Sequence, residues 1–142
     1  MEEVLPPDTN SYGTLFGGRL LSMMDKSAGI VASKFARREF VTVSIDTLTF
    51  ERPARLGDLI EIEAKVVFTS THSAGCLVTA TRMTKADWDV ERICRGYFFM
   101  VAIDSHGRPI PIPQLTPEDE EQQRLWDEAE SIRTDLLSRT EE

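Results

Sequence analysis

Read by the alternation of apolar and polar positions, the chain starts helical, turns to strands and ends helical. From residue 16 to 37, at 100° per residue, Phe16, Leu20, Met23, Met24, Val31 and Phe35 gather on one face. Arg19, Ser22, Lys26, Ser33 and Arg37 gather on the opposite one. A third strip carries Leu21, Asp25, Ala28, Gly29, Ala32 and Ala36, about 100° from the centre of each face. Small residues let another backbone come close, so this strip reads as a seam against another element. Gly17 and Gly18 open the helix after a turn-rich lead-in from Pro6 to Asn10, and the pattern ends around Arg37 and Arg38.

Strand patterns follow. Val41, Val43 and Ile45 alternate, then the phase slips so that Leu48 and Phe50 continue it, which predicts a bulge. Pro53 and Gly57-Asp58 make a turn. Ile60, Ile62, Ala64, Val66 and Phe68 alternate with Glu61, Glu63 and Lys65, a strand with one wet face. Another strand spans about Gly75 to Thr84, and a polar turn covers Lys85 to Val90. Ile93 to Ile103 has bulk on both parities and is expected to be covered on both faces. With a short strand at Glu3 to Leu5, the pattern gives an α+β outline: a curved antiparallel sheet of about five strands around one long helix.

Thr116-Pro117 predicts the start of a second helix, with Thr116 as N-cap, proline at the first helical position and Asp119 in the capping-box place. Its stripe of Leu125, Ala129, Ile132 and Leu136, with Trp126 and Leu137 beside it, needs a surface to lie on. Either this chain's own sheet or a neighbouring subunit serves. The last pair, Glu141-Glu142, is expected to fray. The organisation is thus one domain over 1–115 and an acidic amphipathic helix over 116–142.

Charge changes the picture only once it is divided. Of the net −8, residues 116–142 hold ten acids and three bases, while 1–115 hold fourteen acids and thirteen bases. The body is nearly neutral and lacks the basic stripe that nucleic acid requires. The start, Met1-Glu2-Glu3, has neither a basic nor an apolar signal region, and no apolar run approaches the roughly 20 residues that cross a bilayer. A cytoplasmic protein without membrane insertion is expected. Cys76 and Cys94 form no CxxC pair and read as reduced packing residues. His72 and His106 offer no ligand cluster, so no metal is expected.

Candidate chemistry centres on Asp25. Its neighbours three and four residues away are Leu21, Ser22, Ala28 and Gly29, none of them a cation. An acid in a small-residue seam without a local partner is a candidate general base or nucleophile; a solvated helix acid is the plainer alternative. Gly17 and Gly18 at a helix N-terminus place backbone N–H groups and a partial positive charge where an oxyanion could form. They also serve simply as a turn. Gly13 and Gly18 have the spacing of a phosphate loop, but Arg19-Leu20 replaces its Lys-Ser/Thr, which excludes a nucleotide-triphosphate site.

The run Asp8, Asn10, Gly13, Phe16-Gly17-Gly18, Met24-Asp25, Ala28-Gly29 and Ala32 resembles the opening motif of the hotdog-fold acyl-CoA thioesterases, of the YciA-like and cytosolic acyl-CoA hydrolase type. The similarity continues through Val41 to Asp46, through Phe50, Pro53 and Gly57-Asp58, and through Phe98 to Pro109, covering roughly residues 4 to 113. The resemblance implies a hotdog fold and hydrolysis of acyl-CoA to fatty acid and coenzyme A. Asp25 would be base or nucleophile and Asn10 the assisting amide, with coenzyme A entering as part of the substrate and no separate cofactor. For the coenzyme, the resemblance points to the Ser-rich turn with Thr71 and Ser73, and Arg52, Arg55 and Arg82 are phosphate candidates. Ser44 and Asp46, on the parity opposite Val43 and Ile45, are expected near the site, and Met23 and Met24 along an acyl tunnel.

Asp25 lies eight residues past Gly17, about 12 Å along a helix axis. A base acts within about 3 Å of its proton, so one subunit cannot bring both to one carbonyl. Two antiparallel helices across a twofold axis would, with Asp25 of one protomer meeting Asn10 and Gly17 of the other. A homodimer at minimum is expected, and the resemblance implies that a hexamer, a trimer of dimers, is open to it. The rival readings are a non-catalytic acyl-CoA-binding or regulatory hotdog module and a dehydratase, whose characteristic His motif is missing here.

Overall fold

The computed structural model describes residues 1–141; Glu142, half of the pair expected to fray, lies outside the described residues. The elements are β1 (Glu2–Glu3), a 3-10 turn (Pro6–Asp8), α1 (Gly17–Ala36), β2 (Glu39–Phe50), β3 (Leu59–Thr69), β4 (Ser73–Met83), β5 (Val90–Ile103) and α2 (Glu120–Glu141). All five strands form one antiparallel sheet in the order β1-β3-β4-β5-β2, so β2 is an outer strand with β5 as its neighbour.

α1 lies on one face of this sheet. It buries Leu20, Met24, Ala28, Ala32 and Ala36, one residue per turn. The core face therefore straddles the two: Leu20 and Met24 come from the bulky face and Ala28, Ala32 and Ala36 from the small-residue strip, with Met23, Val31 and Phe35 packed at the margin, while Phe16 is 57% exposed. Alanines let the helix axis approach the strands, close enough for the Cys76 thiol to reach the Ala28 carbonyl at 3.8 Å. Arg37 ends the helix in the left-handed region (φ 56°), its N–H donating to the Ser33 carbonyl.

Two irregularities shape β2. One falls between Thr42 and Ser44, the other between Asp46 and Thr49, where the sequence phase slips. The first leaves Val43 without a partner in the register; it is 59% exposed, and Val41, two residues before it, is 43% exposed. The second holds Thr47 at φ 53°.

α2 covers the other face. Leu125 and Ala129 are buried against Val67, Phe68, Leu77, Tyr97 and Phe99, with Trp126, Ile132 and Leu136 packed beside them. The apolar stripe thus lies on this chain's own sheet, and β5 is covered on both sides. Burying such side chains stabilises by roughly 1.5–3 kcal/mol each. The helix begins three residues later than Pro117 suggested. The Leu115 N–H donates to Thr69 Oγ1 at 3.0 Å, which holds the exit strand extended, and Pro117 keeps Thr116 extended too. Asp119 is the cap instead: its Oδ1 accepts the Gln122 N–H at 2.7 Å, while Gln122 Oε1 accepts the Glu118 N–H at 2.9 Å. Among the described residues, no helix is long and apolar enough to cross a membrane.

Cys76 and Cys94 are free and buried. Burial pushes their thiols from 9.0 up to about 12 and about 11, and burial likewise lifts the Tyr97 phenol to about 12. Folded values above unfolded ones mean that this contribution to stability is complete below pH 9.0 and declines as pH rises towards 11 and 12. Two outcomes are expected. Iodoacetamide at mildly alkaline pH leaves both thiols unmodified until urea unfolds the protein, and the urea midpoint falls once pH passes 9. Fast alkylation of the folded protein would contradict the burial.

Candidate functional site

The lead-in to α1 is a small hairpin built around one side chain. Asn10 Oδ1 accepts from the Tyr12 N–H (2.9 Å), the Thr14 N–H (3.2 Å) and the Thr14 hydroxyl (3.1 Å). Gly13 takes φ 77° at the tip, where a side chain would be strained. The hairpin is held from both sides. Leu15 N–H donates to the Ala54 carbonyl, and Arg19 Nε donates to Asp8 Oδ1 at 3.1 Å. The Leu5 N–H, then Arg19, holds the Asp8 carboxyl below the usual range. With its oxygen spent on the turn, Asn10 keeps its amide N–H₂ for something outside the hairpin; the residue is exposed.

α1 starts without a capping side chain. The N–H groups of Gly17 and Gly18 thus stay available to a ligand, at the positive end of the helix dipole. The Phe16 ring folds back over Gly18: a Cβ there would lie 2.7 Å from it, so a side chain at 18 would displace this exposed ring. Gly17 lines a cleft of about 260 Å³ with Leu15, Leu20, Phe50, Arg52 and Ala54.

Asp25 is half-buried on the side of α1 that faces β2. Thr42 Oγ1 donates to its Oδ1 at 2.6 Å. Because β2 is the outer strand, this pair sits at the open edge of the sheet. Thr42 went unremarked in the sequence pattern. The signal was its shared parity with Ser44 and Asp46, which hid the distinction between them. The bulge at Val43 turns Ser44 to the opposite face, so Ser44 pairs beside Phe99 while Thr42 pairs beside Met100. Ser44 therefore does not approach Asp25. It lines a cleft of about 290 Å³ with Ser73, Phe99, Arg133 and Leu136, under α2. Asp46 also turns to that face, its Oδ2 3.9 Å from Arg139.

The structure distributes the remaining candidates. Ser73 is buried, its hydroxyl against that of Ser70, and the Thr71 carbonyl accepts the Ile112 N–H. Arg52 is exposed, with Glu91 3.9 Å away. Arg82 is occupied: it donates to the Pro53 carbonyl at 2.6 Å and to Glu91 at 2.8 Å, and Asp58 stands 3.7 Å from it. Its Nε is buried without a partner. Arg55 joins Thr14 across a bridge and gives its N–H to Asp58 Oδ2 at 2.8 Å. Within one chain, then, Gly17 and Arg52 share one cleft, Ser44 and Ser73 another, and Asp25 stands apart from Asn10. Among the described residues, no group of three or more His, Cys, Asp or Glu is placed to hold a metal ion.

Comparison with known proteins adds a family. The sequence model of the thioesterase superfamily matches residues 12–87. A Bacillus subtilis protein named an uncharacterized acyl-CoA thioester hydrolase is 36% identical over 126 residues, covering 89% of this chain and 73% of that protein. The rat cytosolic acyl coenzyme A thioester hydrolase is 33% identical over 125 residues, 87% of this chain; the chain spans only 33% of that relative's length. An apo-hexameric acyl-CoA thioesterase superposes with a TM-score of 0.92 at 35% identity, covering 98% of this chain and 89% of its own. An acyl-CoA hydrolase from Staphylococcus aureus, solved with butyryl coenzyme A, coenzyme A and coenzyme A disulfide, superposes at 0.87 with 30% identity over 99% of this chain and 86% of its own. Alanine variants of that enzyme were also solved, one each at an asparagine, an aspartate 15 residues later and a threonine 17 residues after that. Asn10, Asp25 and Thr42 have the same separations here.

The network around Arg82 generates a stability prediction. Arg82→Met leaves the Asp58 carboxylate buried without its cation, 3.7 Å away, and is expected to cost about 3 kcal/mol in urea unfolding, the low end for a buried pair. An unchanged midpoint would show that this guanidinium has no structural task.

Proposed function

The chain belongs to the thioesterase superfamily, among the hotdog-fold acyl-CoA hydrolases, and on that premise we propose that it hydrolyses the thioester of acyl-CoA to a carboxylic acid and coenzyme A. The observation that carries the catalytic assignment is the hydrogen bond from Thr42 to Asp25 at the open edge of the sheet. It fixes one carboxylate oxygen and leaves the other free to take a proton from water, or to attack the carbonyl itself. In the first route water oxygen bonds to the carbonyl carbon as Asp25 accepts its proton. The tetrahedral oxyanion is met by the Gly17 or Gly18 N–H. Collapse breaks the carbon–sulfur bond, and the departing thiolate takes the proton back from Asp25. Coenzyme A enters only as part of the substrate.

The site is composite on this reading. Asn10 and the helix N-terminus that serve one Asp25 come from a second copy across a twofold axis. Support comes from the roughly 12 Å between Gly17 and Asp25 along α1 and from the form of the free edge. A twelve-residue outer strand with Val41 and Val43 exposed is an unfinished surface, suited to pairing with its own twin. The matching separations in the Staphylococcus aureus variants support the choice of Asn10, Asp25 and Thr42. A dimer is the smallest active unit; the hexameric relatives support a trimer of such dimers.

Release of free thiol from acyl-CoAs of graded length tests the reaction. Asp25→Asn is expected to lower kcat by about 10²–10⁴-fold, and Thr42→Val by less, since the carboxylate survives. Asn10→Asp keeps the acceptor that builds the turn and removes the amide donor, so it is expected to lower kcat without loss of fold. Mixing Asp25→Asn with Asn10→Ala subunits separates composite from single-chain sites. In a composite dimer, half the hybrid's sites regain both residues, and about a quarter of wild-type activity returns. No recovery from mixed dimers would put Asp25 and Asn10 in one subunit's site. Wild type that binds acyl-CoA yet releases no thiol would make the protein a binding module.

A further inference from the structure

We infer that the exposed rings of Phe16 and Phe50 are two walls that select acyl groups unbranched at the carbon next to the carbonyl. The identity of the ligand rests on the hydrolase reading; the walls rest on geometry. At the start of α1 the Arg19 and Leu20 N–H groups both donate to the Phe16 carbonyl, at 3.0 and 3.2 Å. Of the first four donors of the helix, those of Gly17 and Gly18 are therefore the free ones. A ring stands beside each. A Cβ on Gly18 would lie 2.7 Å from the Phe16 ring, and a Cβ on Gly17 would lie 3.8 Å from the Phe50 ring. Consecutive positions are about 100° apart round a helix, so the two rings close adjoining sides of the approach to these N–H groups.

Both rings are held at the root and bare at the face. The Phe16 N–H donates to the Asp8 carbonyl at 2.8 Å. Phe50 pairs with Cys94 at the end of β2, and the Glu51 N–H next to it donates to the Ile93 carbonyl at 2.8 Å. Yet Phe16 is 57% exposed and Phe50 53%. Among the described residues neither stacks on another ring or carries a cation. What fits free N–H groups between apolar walls is an oxygen carried by an apolar group. Behind Phe50 the cleft of about 260 Å³ is floored by Leu15, Leu20, Ala54 and Ile93, and the last three are buried. That volume falls below the roughly 300–1,000 Å³ of drug-sized pockets, so the chain it suits is short.

The position of the branch matters because of where the carbonyl must lie. An oxygen accepting from Gly17 sits roughly 2.9 Å from its nitrogen, and the acyl α-carbon is two bonds further on, level with the rings. A straight chain turns only hydrogens towards them. A methyl branch at that carbon meets a ring whose backbone is fixed. Water kept out of the same corner strengthens the hydrogen bond to the oxyanion.

The test compares butyryl coenzyme A with its 2-methyl and 3-methyl derivatives, in which the same extra methyl stands on the α-carbon or one carbon further out. Wild type is expected to lose tenfold or more in kcat/KM on the 2-methyl substrate, about the effect of one misplaced methylene, and far less on the 3-methyl one. Phe16→Ala and Phe50→Ala each remove an exposed ring, and each should bring the 2-methyl and 3-methyl substrates to within about twofold of one another. Phe16→Leu, which keeps bulk, should fall in between. Calorimetric affinities for the three thioesters, measured on the slow Asp25→Asn variant, should follow the same order. Size-exclusion chromatography should give the same assembly for every variant. Equal treatment of the two branched substrates by wild type, equal losses on all three in Phe16→Ala, or an assembly that falls apart without the ring would overturn the assignment. Wild type that hydrolyses none of the three, yet binds the 2-methyl one more weakly until Phe16 is replaced, would defeat the hydrolase reading and leave the walls standing.

Discussion

Everything in this molecule depends on how close α1 sits to the sheet. Leu20, Met24, Ala28, Ala32 and Ala36 meet the strands at every fourth residue, and three of the five have only a methyl group to bury. That stripe sets the helix's rotation as well as its distance. Asp25, one step round from Met24, is carried to the side that faces β2, where Thr42 meets it. A bulkier stripe would lift the helix, and an overpacked interior strains its neighbours. The Cys76 thiol against the Ala28 carbonyl shows how little room remains.

This placement divides the chemistry between the two ends of one helix. The unsatisfied N–H groups and their partial positive charge belong to the first turn, beside Phe16 and Phe50; the carboxylate lies two turns on, at the sheet's open side. In a single copy roughly 12 Å of helix separates the two, which is the gap that the proposed composite site bridges. The hairpin around Asn10 has the same character: its carbonyl oxygen is satisfied locally by Tyr12 and Thr14, and its amide faces outward. On the proposed reading, a twofold partner completes these contacts along the exposed strand edge.

The sheet's second face has a separate logic. α2 brings apolar residues over Tyr97, Phe99 and Phe68 and leaves charged groups at its N-terminal half. The two breaks in β2 decide which side chains go there. At Val43 the extra residue sends Ser44 away from Asp25, and at Thr47 the left-handed backbone accompanies hydroxyls that line a cleft with Arg95 and Glu128 on the α2 face. Local irregularity thus sorts residues of one parity onto two faces with different chemistry.

Much of this was legible in the residues themselves. Periodicity gave the two helices, the four long strands, the slip in β2 and the double coverage of β5, because each reports burial along a single element. The motif around Asn10, Gly17-Gly18 and Asp25 carried the family. What the residues could not convey were relations across elements. Thr42 as the partner of Asp25, the turning of Ser44 to the far face, the internal ion pairs of Arg82 and the late start of α2 all follow from strand register and from contacts between segments distant in the chain. Hydrophobic pattern is a one-dimensional record of local burial; which atoms meet is fixed only when the sheet closes and one extra residue in a strand reverses the side on which everything after it stands.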